Sequence, residues 1–288
     1  MRICIIGSKG QLGTDLTKEF EGTHEIIGLA HQEIEVADFN SCLTLKKHQP
    51  LDVVINTAAF HKTDQCEDEP LKTFSINSVG ARNVATVSQE IGAITIFVST
   101  DYVFDGTKTE PYTEYDVPTP INTYGISKLA GEFFTKQNPK HYIVRVASLF
   151  GSAGASGKGG NFIETMIAKA KKNEPISVVD DIKMSPTYTR DAASIIKKML
   201  DLELPFATYH LTNSGYCTWF QFAEEIFHQL GMTPALTPIK TNQLAMKARR
   251  PMFSALKSAR LPDHGIQTRD WKEALRTYLA EKEYLKLP

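Results

Sequence analysis

Short apolar runs alternate with stretches of helical periodicity along the first half of the chain. The apolar runs are uncharged and rich in β-branched residues, as in strands that are buried on both faces of a parallel sheet. The predicted strands cover 3–6, 25–29, 53–56, 94–98 and 142–147, and helical patterns begin near residues 12, 39, 70 and 124. Strands that alternate with helices over short connections predict an α/β fold, a doubly wound parallel sheet of the Rossmann type.

The pattern changes after residue 150. Residues 150–160 are rich in glycine and serine, which indicates a flexible loop or a domain boundary and favours a mobile lid over a phosphate-binding role. Beyond them, helices are predicted at about 161–172, 189–200, from 218 onward and at 270–280, with strands near 176–179 and 208–211. We therefore expect a dinucleotide-binding domain at 1–150. A smaller mixed α/β domain at 151–288 should be mainly substrate-binding, with some segments returning to the first domain.

A glycine-rich turn joins the first predicted strand to the first helix. Gly7, Gly10 and Gly13 form the pattern G-x-x-G-x-x-G. Glycines let the backbone turn tightly and approach a pyrophosphate, whose charge the helix N-terminus meets. A plain strand-to-helix loop also uses glycine, but this position favours a dinucleotide site. The second strand ends in Ala30, His31 and Gln32, without the acid typical of NAD-selective enzymes and without an arginine for a 2′-phosphate. Glu33 could still reach the ribose, so NADPH and NADH both stay open.

Polar residues at the end of the fourth strand and on the helix that follows it form a second candidate site. The strand ends in Ser99, Thr100 and Asp101, and ligands bind beyond the carboxyl ends of parallel strands. Tyr124 and Lys128 are four residues apart, so they share one helix face. An ammonium favours the phenolate and should lower the tyrosine pKa, so that Tyr124 could exchange a proton with a substrate oxygen. Such pairs also occur on solvated helix faces; the glycine turn favours catalysis here.

Composition narrows the class of protein. The chain has 288 residues, with 32 basic and 33 acidic side chains, so charge gives no reason to expect nucleic acid or an anionic membrane as a partner. No apolar run approaches the ~18 residues that span a bilayer. Four scattered cysteines indicate neither a disulfide framework nor a zinc site. The strand pattern begins at residue 3, so we expect no signal peptide and a cytoplasmic location.

These motifs together resemble an extended short-chain dehydrogenase/reductase. Further segments are similar to the dTDP-4-dehydrorhamnose reductase family, and the similarity covers nearly the whole chain. They are 99–106 (STDYVFDG), Asn161-Phe162, Pro186-Thr187, Thr218-Trp219 and 248–251 (ARRP). The resemblance implies NAD(P)H-dependent reduction of the C4 ketone of a nucleotide-linked 6-deoxyhexose, which converts dTDP-4-dehydro-L-rhamnose to dTDP-L-rhamnose.

The resemblance also implies roles for individual residues. Tyr124 would protonate the new alkoxide, Lys128 would hold the nicotinamide ribose, and Thr100 would hydrogen-bond the ketone. Besides the turn glycines Gly7, Gly10 and Gly13, the implied cofactor contacts are Gln11, Leu12, Asp38, Phe39, Ala58 and Ala59. The implied substrate contacts, besides Thr100, are Asp101, Asn161 and Arg250. We expect no metal site, a nucleotide sugar as the substrate, and a monomer or homodimer.

Two positions depart from the family pattern. His61 stands where the family usually has threonine, and Leu149 where it commonly has tryptophan. Both touch the expected substrate side, so the exact hexose stays open. Two alternatives also remain: an epimerase or a reductase that gives the C4 epimer, and a non-catalytic regulatory subunit with the same fold.

Overall fold

Parallel strands form the centre of the molecule in this computed structural model, which describes residues 1–154 and 160–285. The described strands are β1 (Arg2–Ile6), β2 (Glu25–Leu29), β3 (Val53–Asn56), β4 (Ile94–Thr100), β5 (His141–Val146), β6 (Leu149–Phe150), β7 (Ile176–Val179), β8 (Lys183–Met184), β9 (Thr187–Tyr188), β10 (Thr208–His210), β11 (Cys217–Thr218) and β12 (Leu236–Ile239).

The helices surround these strands. They are α1 (Gln11–Phe20), α2 (Phe39–Cys42), α3 (Thr63–Asp68), α4 (Pro70–Phe74), α5 (Gly80–Glu90), α6 (Thr123–Thr135), α7 (Phe162–Lys171), α8 (Thr189–Asp201), α9 (Trp219–Leu230) and α10 (Trp271–Glu281). A π-helical turn, Ser75–Val79, joins α4 to α5. Short 3-10 helices lie at Leu43–His48, Asp101–Val103, Thr241–Gln243 and Leu261–His264.

Six of the described strands form one parallel sheet in the order β2-β1-β3-β4-β5-β10. β2 lies on one side of β1 and β3 on the other, so the chain winds away from β1 in both directions. This is a topological switch point, where a ligand crevice opens beyond the carboxyl ends of β1 and β3. The predicted doubly wound parallel sheet is confirmed.

Both faces of the sheet are covered by helices. Side chains alternate across a strand, so Ile3 and Ile5 face one side while Cys4 and Ile6 face the other. The first side packs against α1 and α8, and the second against the 3-10 turn after α2 and against α5. Burial on both faces explains why β1, β3 and β4 are almost continuously apolar.

A second core lies in the C-terminal half of the chain. It is built from α7, α9 and α10 with Phe150 and the short strands β7, β8, β9 and β11. In contrast, α8, β10, Leu261 and Ile266 pack into the core of the large sheet. The domain boundary at residue 150 stays a prediction. Residues 155–159 of the predicted lid lie outside the described residues.

The N-terminus of helix α6 is held by side chains from distant parts of the chain. Asn122 is the N-cap, and its side-chain oxygen accepts a hydrogen bond from Gly125 N at 2.8 Å. The carboxylate of Glu67 accepts from Thr123 N at 2.8 Å and from Thr123 Oγ1 at 2.6 Å. These bonds satisfy amides that the first helical turn leaves unpaired, so they fix where α6 begins.

A glycine lets α6 approach the sheet closely. A Cβ atom at Gly131 would lie 2.5 Å from the backbone oxygen of Asn77 and 2.7 Å from Cζ of Phe97 on β4. Real Cβ contacts are not this short, so any side chain here would push α6 away from β4 or from the π-turn that carries Asn77.

We predict that Gly131→Ala destabilises the protein by about 1–3 kcal/mol, because overpacking outweighs the gain in helix propensity. Replacing glycine by alanine in an open helix normally stabilises a protein by up to ~1 kcal/mol. Helix propensity alone therefore predicts a gain in stability here, whereas overpacking predicts a loss. Urea unfolding of the two proteins measures the difference. A variant as stable as the original protein would show that the contact between α6 and β4 can accommodate an additional methyl group.

Candidate active site

A cleft of about 1030 Å³ opens at the carboxyl ends of the central strands. Its floor includes the ends of β1, β3, β4 and β5, and residues of the C-terminal half, including Asn161 and Trp219, also line it. The cleft thus lies at the switch point of the sheet, where the topology predicts a ligand.

The glycine turn forms one end of this cleft. Gly7 has φ of 80°, and Gly10 N donates to Gly7 O at 2.9 Å. A Cβ at Gly7 would lie 2.4 Å from Thr57 Oγ1, and one at Gly13 would lie 2.2 Å from Gly7 O. Glycine is therefore required at both positions, and α1 starts at Gln11 with its N-terminus toward the cleft. Such a helix end suits the phosphates of a dinucleotide.

The side chain of Gln11 shows whether the glycine-turn end of the cleft is suited to a ligand. Its side-chain oxygen is buried and has no hydrogen-bond partner among the described residues, although Gln11 lines the cleft. A buried acceptor without a donor costs free energy that a ligand hydroxyl or amide would recover. The orphaned oxygen, the glycine cradle and the small residues Ala58 and Ala59 all fit a nicotinamide dinucleotide.

The predicted cofactor residues divide into two groups. Those that line the cleft are Gly7, Gly10, Gln11, Leu12, Ala58, Ala59, Tyr124 and Lys128. Gly13 is buried behind the turn and shapes it. Asp38 and Phe39 lie outside the lining residues; Asp38 caps α2 by accepting from Asn40 N at 3.0 Å, and Phe39 begins that helix.

The segment after β2 lines the cleft, whereas Asp38 and Phe39 do not. The cleft is lined there by Ala30, His31, Gln32, Ile34, Glu35 and Val36. The Glu33 carboxylate accepts from Ala30 N at 2.7 Å, so it is engaged with its own strand end. His31 Nδ1 lies 3.4 Å from Glu35. Sequence reasoning missed Ile34 and Val36, whose burial depends on the path of the chain after β2.

Thr100, Tyr124 and Lys128 meet in the middle of the cleft. Thr100 Oγ1 donates to Asp101 at 3.0 Å and accepts from Tyr102 N at 3.2 Å. Tyr124 is half-buried, and its ring lies edge-on to the Tyr102 ring at 5.9 Å. Lys128 is only 2% exposed, with Nζ 4.0 Å from the Phe97 ring centroid. Three groups that sequence analysis assigned to one reaction therefore share one cleft.

Burial dominates the protonation of these groups. It raises the pKa of Tyr124 above its ordinary value, and a hydrogen bond with Thr100 only partly opposes the rise. This net shift is opposite to the lowering that we expected from Lys128, so that expectation is wrong. Burial also lowers the pKa of Lys128 to about 7, against the opposing charge of Glu132. The phenol therefore keeps its proton at neutral pH, while the lysine titrates there.

Asp101 is a buried carboxyl group beside Thr100. It is 4% exposed, and burial raises its pKa to about 6, while hydrogen bonds from Ser254 and Thr100 pull it down. Ser254 belongs to the C-terminal half, so Asp101 links that half to the end of β4.

The other predicted substrate residues are placed differently. Asn161 lines the cleft, but its amide donates to Gly151 O and to Tyr278 Oη at 3.0 and 2.9 Å. Its oxygen also caps α7. Arg250 lies outside the lining residues and pairs with Asp64 at 3.0 Å.

Arg250 nevertheless reaches the cleft through Tyr102. The charge of the guanidinium and its hydrogen-bonding capacity lower the pKa of this phenol, although burial still raises it overall. Tyr102 lines the cleft and was not assigned a role from sequence, although it lies within the quoted strand-end motif. His61 and Leu149, the two departures from the family pattern, both line the cleft.

Residues 1–154 and 160–285 contain neither a metal-binding cluster nor a membrane-spanning helix. No cluster of three or more His, Cys, Asp or Glu side chains is arranged to hold a metal ion. Within the same ranges, no helix combines the length and the apolar character needed to cross a membrane.

Comparison with known proteins connects this geometry to a family. Residues 1–284 match the family model described as RmlD substrate binding domain. The spore coat polysaccharide biosynthesis protein SpsK of Bacillus subtilis is 37% identical over 283 residues, which cover 98% of each chain.

Two solved structures are close to this one. A dTDP-4-dehydrorhamnose reductase from Clostridium acetobutylicum superposes with a TM-score of 0.93 at 37% identity, covering 98% of this chain and 100% of that one. The Bacillus anthracis dTDP-4-dehydrorhamnose reductase in complex with NADP gives 0.92 at 37% identity, covering 97% and 99%. This chain belongs to the dTDP-4-dehydrorhamnose reductase family and is a nicotinamide-dependent oxidoreductase.

Proposed function

We propose that the protein reduces the C4 ketone of a nucleotide-linked 6-deoxyhexose with NADPH or NADH, and that dTDP-4-dehydro-L-rhamnose is the first substrate to test. The observation that carries this proposal is the meeting of Thr100, Tyr124 and Lys128 in the cleft that begins at the glycine turn. The relatives named as dTDP-4-dehydrorhamnose reductases support the choice of substrate.

The residues of this chain account for the binding and proton steps. A reduced nicotinamide, when bound, supplies a hydride. Gly7, Gly10 and the start of α1 would hold its pyrophosphate, and Gln11 Oε1 would accept a hydrogen bond from a hydroxyl or amide group of the cofactor. The Thr100 hydroxyl turns from Asp101 to the ketone oxygen and donates its one hydrogen there, which orients the carbonyl and stabilises the negative charge that develops on it.

Tyr124 completes the reduction. When the hydride adds to C4, the carbonyl electron pair moves to the oxygen, and this alkoxide takes the proton from Tyr124 Oη. Because burial raises its pKa, Tyr124 starts the reaction protonated, as a proton donor must. The positive charge of Lys128 then favours the phenolate that remains.

The identity of the sugar is the open part of the proposal. SpsK is named for spore coat polysaccharide synthesis, and His61 and Leu149 line the cleft where the family pattern differs. A turnover screen across nucleotide-linked 4-ketosugars, with both reduced cofactors, identifies the substrate and the stereochemistry at C4. Cofactor released on denaturing the purified protein would favour an epimerase. No turnover of any ketosugar would favour a regulatory subunit.

We predict that Tyr124→Phe lowers kcat by about 10²–10⁴-fold, because the alkoxide loses its proton donor. The dissociation constant of NADPH should change little, since the ring and its packing are kept. Nicotinamide absorbance measures turnover, and fluorescence titration measures cofactor binding. Tyr115→Phe is the matched control, because Tyr115 is 69% exposed and should leave both quantities unchanged. A fully active Tyr124→Phe protein would remove Tyr124 from the proposed mechanism.

We also predict that Asp101→Asn raises KM for the sugar nucleotide by roughly tenfold while stabilising the protein at neutral pH. The folded-state pKa of Asp101 is raised to about 6, so the native state holds a proton that the unfolded state has lost between about pH 4 and pH 6. The original protein therefore loses stability over this range as the pH rises, and the asparagine variant does not. Relative to the original protein, Asp101→Asn should gain roughly 2–3 kcal/mol between pH 4 and pH 7.

Urea unfolding at several pH values tests the predicted stability of Asp101→Asn. Asp105→Asn is the control, because hydrogen bonds within its own loop lower the pKa of Asp105. The sign should then reverse: Asp105 stabilises the fold above its unfolded-state pKa, so its removal should cost stability as the pH rises. Equal pH dependence in the two variants would contradict the assignment of a raised pKa to Asp101.

A further inference from the structure

A buried ion pair lies behind the cleft, between Glu132 of α6 and Arg145 of β5. Glu132 is 0% exposed and Arg145 is 3% exposed. Glu132 Oε1 accepts from Arg145 Nε at 2.8 Å and from Ser99 Oγ at 2.6 Å, while Oε2 accepts from Arg145 Nη2 at 2.7 Å. Burying two charges costs free energy that an apolar helix–sheet contact avoids. Packing alone therefore does not explain the pair.

The far side of Arg145 contacts a neutral histidine. His210 Nδ1 lies 3.1 Å from Tyr112 O, and Nε2 lies 3.4 Å from Arg145 Nη1. A carbonyl oxygen accepts and a guanidinium donates, so Nδ1 carries the proton and Nε2 accepts. Burial lowers the pKa of His210 to about 4, in agreement with a neutral ring. Arg145 is thus held between an uncharged acceptor and the Glu132 carboxylate.

The pair is connected to the catalytic residues by the helix itself. Tyr124, Lys128 and Glu132 follow one another at intervals of four residues, so all three lie along one face of α6. Lys128 is buried over the Phe97 ring, and Glu132 is the charge that opposes the lowering of its pKa by burial. Other ionisable groups around this part of the cleft include Tyr124, Asp101, Tyr102, His61, Cys66 and Arg145.

We propose that Glu132 is a positioning residue for Lys128. Clamped by Ser99 and Arg145, its carboxylate fixes the helical turn that follows Lys128 and supplies a negative charge one turn away on the same helix face. Glu132 is fully buried and lies outside the lining of the cleft, so it acts through Lys128 rather than on the substrate. This inference rests on the proposed function, which gives Lys128 its role.

The test replaces the carboxylate by its neutral isostere, Glu132→Gln. Nitrogen-15 NMR of the lysine amines, with Lys128 assigned from Lys128→Met, should show Lys128 titrating at lower pH than in the original protein. Because the ammonium is then lost earlier as the pH rises, kcat/KM should fall by about tenfold at pH 8 and by much less at pH 6. Circular dichroism and urea unfolding check that the variant is folded.

Glu114→Gln is the matched control. Glu114 is another carboxylate of this network, which accepts from His210 N at 2.9 Å and from Ser258 Oγ at 2.6 Å. It meets the network at His210 rather than at Lys128. Its replacement should cost stability without moving the titration of Lys128. A purely structural role for Glu132 would make the two variants alike, each with a uniform loss of activity at every pH.

Two outcomes would overturn the inference: an unchanged titration of Lys128 in Glu132→Gln, or an equal shift in Glu114→Gln. If Glu132→Gln does not fold, the double variant Glu132→Gln/Arg145→Gln leaves neither charge buried alone. The pKa of Lys128 should then fall by less than in Glu132→Gln, because the Arg145 cation is removed as well. Full activity of Lys128→Met would instead refute the role of Lys128 in the proposed function. The NMR titration reads the coupling between Glu132 and Lys128 without any turnover, so the two failures are distinguishable.

Discussion

The close packing of α6 against the end of β4 is the constraint on which the candidate site depends. Gly125, next to Tyr124, would place a Cβ 2.1 Å from Tyr102 O, and Gly131 is restricted in the same way on the other side of Lys128. Backbone contacts therefore set the separation between α6 and the strand end that carries Thr100. Since a displacement of about 1 Å can cost a large part of catalysis, backbone contact is an effective way to fix that separation.

The same closeness determines the electrostatics of the cleft. Tyr124, Lys128 and Asp101 are all shifted toward their neutral forms, and burial is the largest cause in each case. A neutral phenol suits a proton donor, but a neutral lysine would not favour the phenolate formed after proton transfer. Burial thus favours the protonated phenol that Tyr124 needs as a proton donor, but it disfavours the positive charge on Lys128. A fixed carboxylate on the same helix face is one way to resolve this conflict.

The sequence predicted features that are set by local pattern. The five strands of the first half, the glycine turn and the shared face of Tyr124 and Lys128 all follow from residue types within a few positions of one another. Strands β6, β8, β9 and β11 have two residues each, which is too short for a periodic pattern in the sequence to predict them. They form by pairing with distant segments of the chain.

The pKa of Tyr124 was mispredicted for a related reason. The spacing identified the neighbouring ammonium, but it gave no measure of how deeply both groups are buried. The ion pair of Glu132 and Arg145 shows the same limit. Nothing in either residue's local pattern indicates a partner, because their contact exists only once α6 and β5 lie side by side.

The cleft is lined by residues from both halves of the chain, and polar bonds join the two halves around it. Asp101 is hydrogen-bonded to Ser254, Asn122 Nδ2 donates to Arg249 O at 2.8 Å, and Thr189 donates to Asp15. In the proposed mechanism, hydride and proton transfer require only groups on the large sheet and α6. Selection of the sugar can also involve Leu149, His61 and side chains of the second core such as Trp219. Because these sets are different, the hexose can change while the chemistry is retained. The reaction class therefore follows from this structure more directly than the identity of the sugar does.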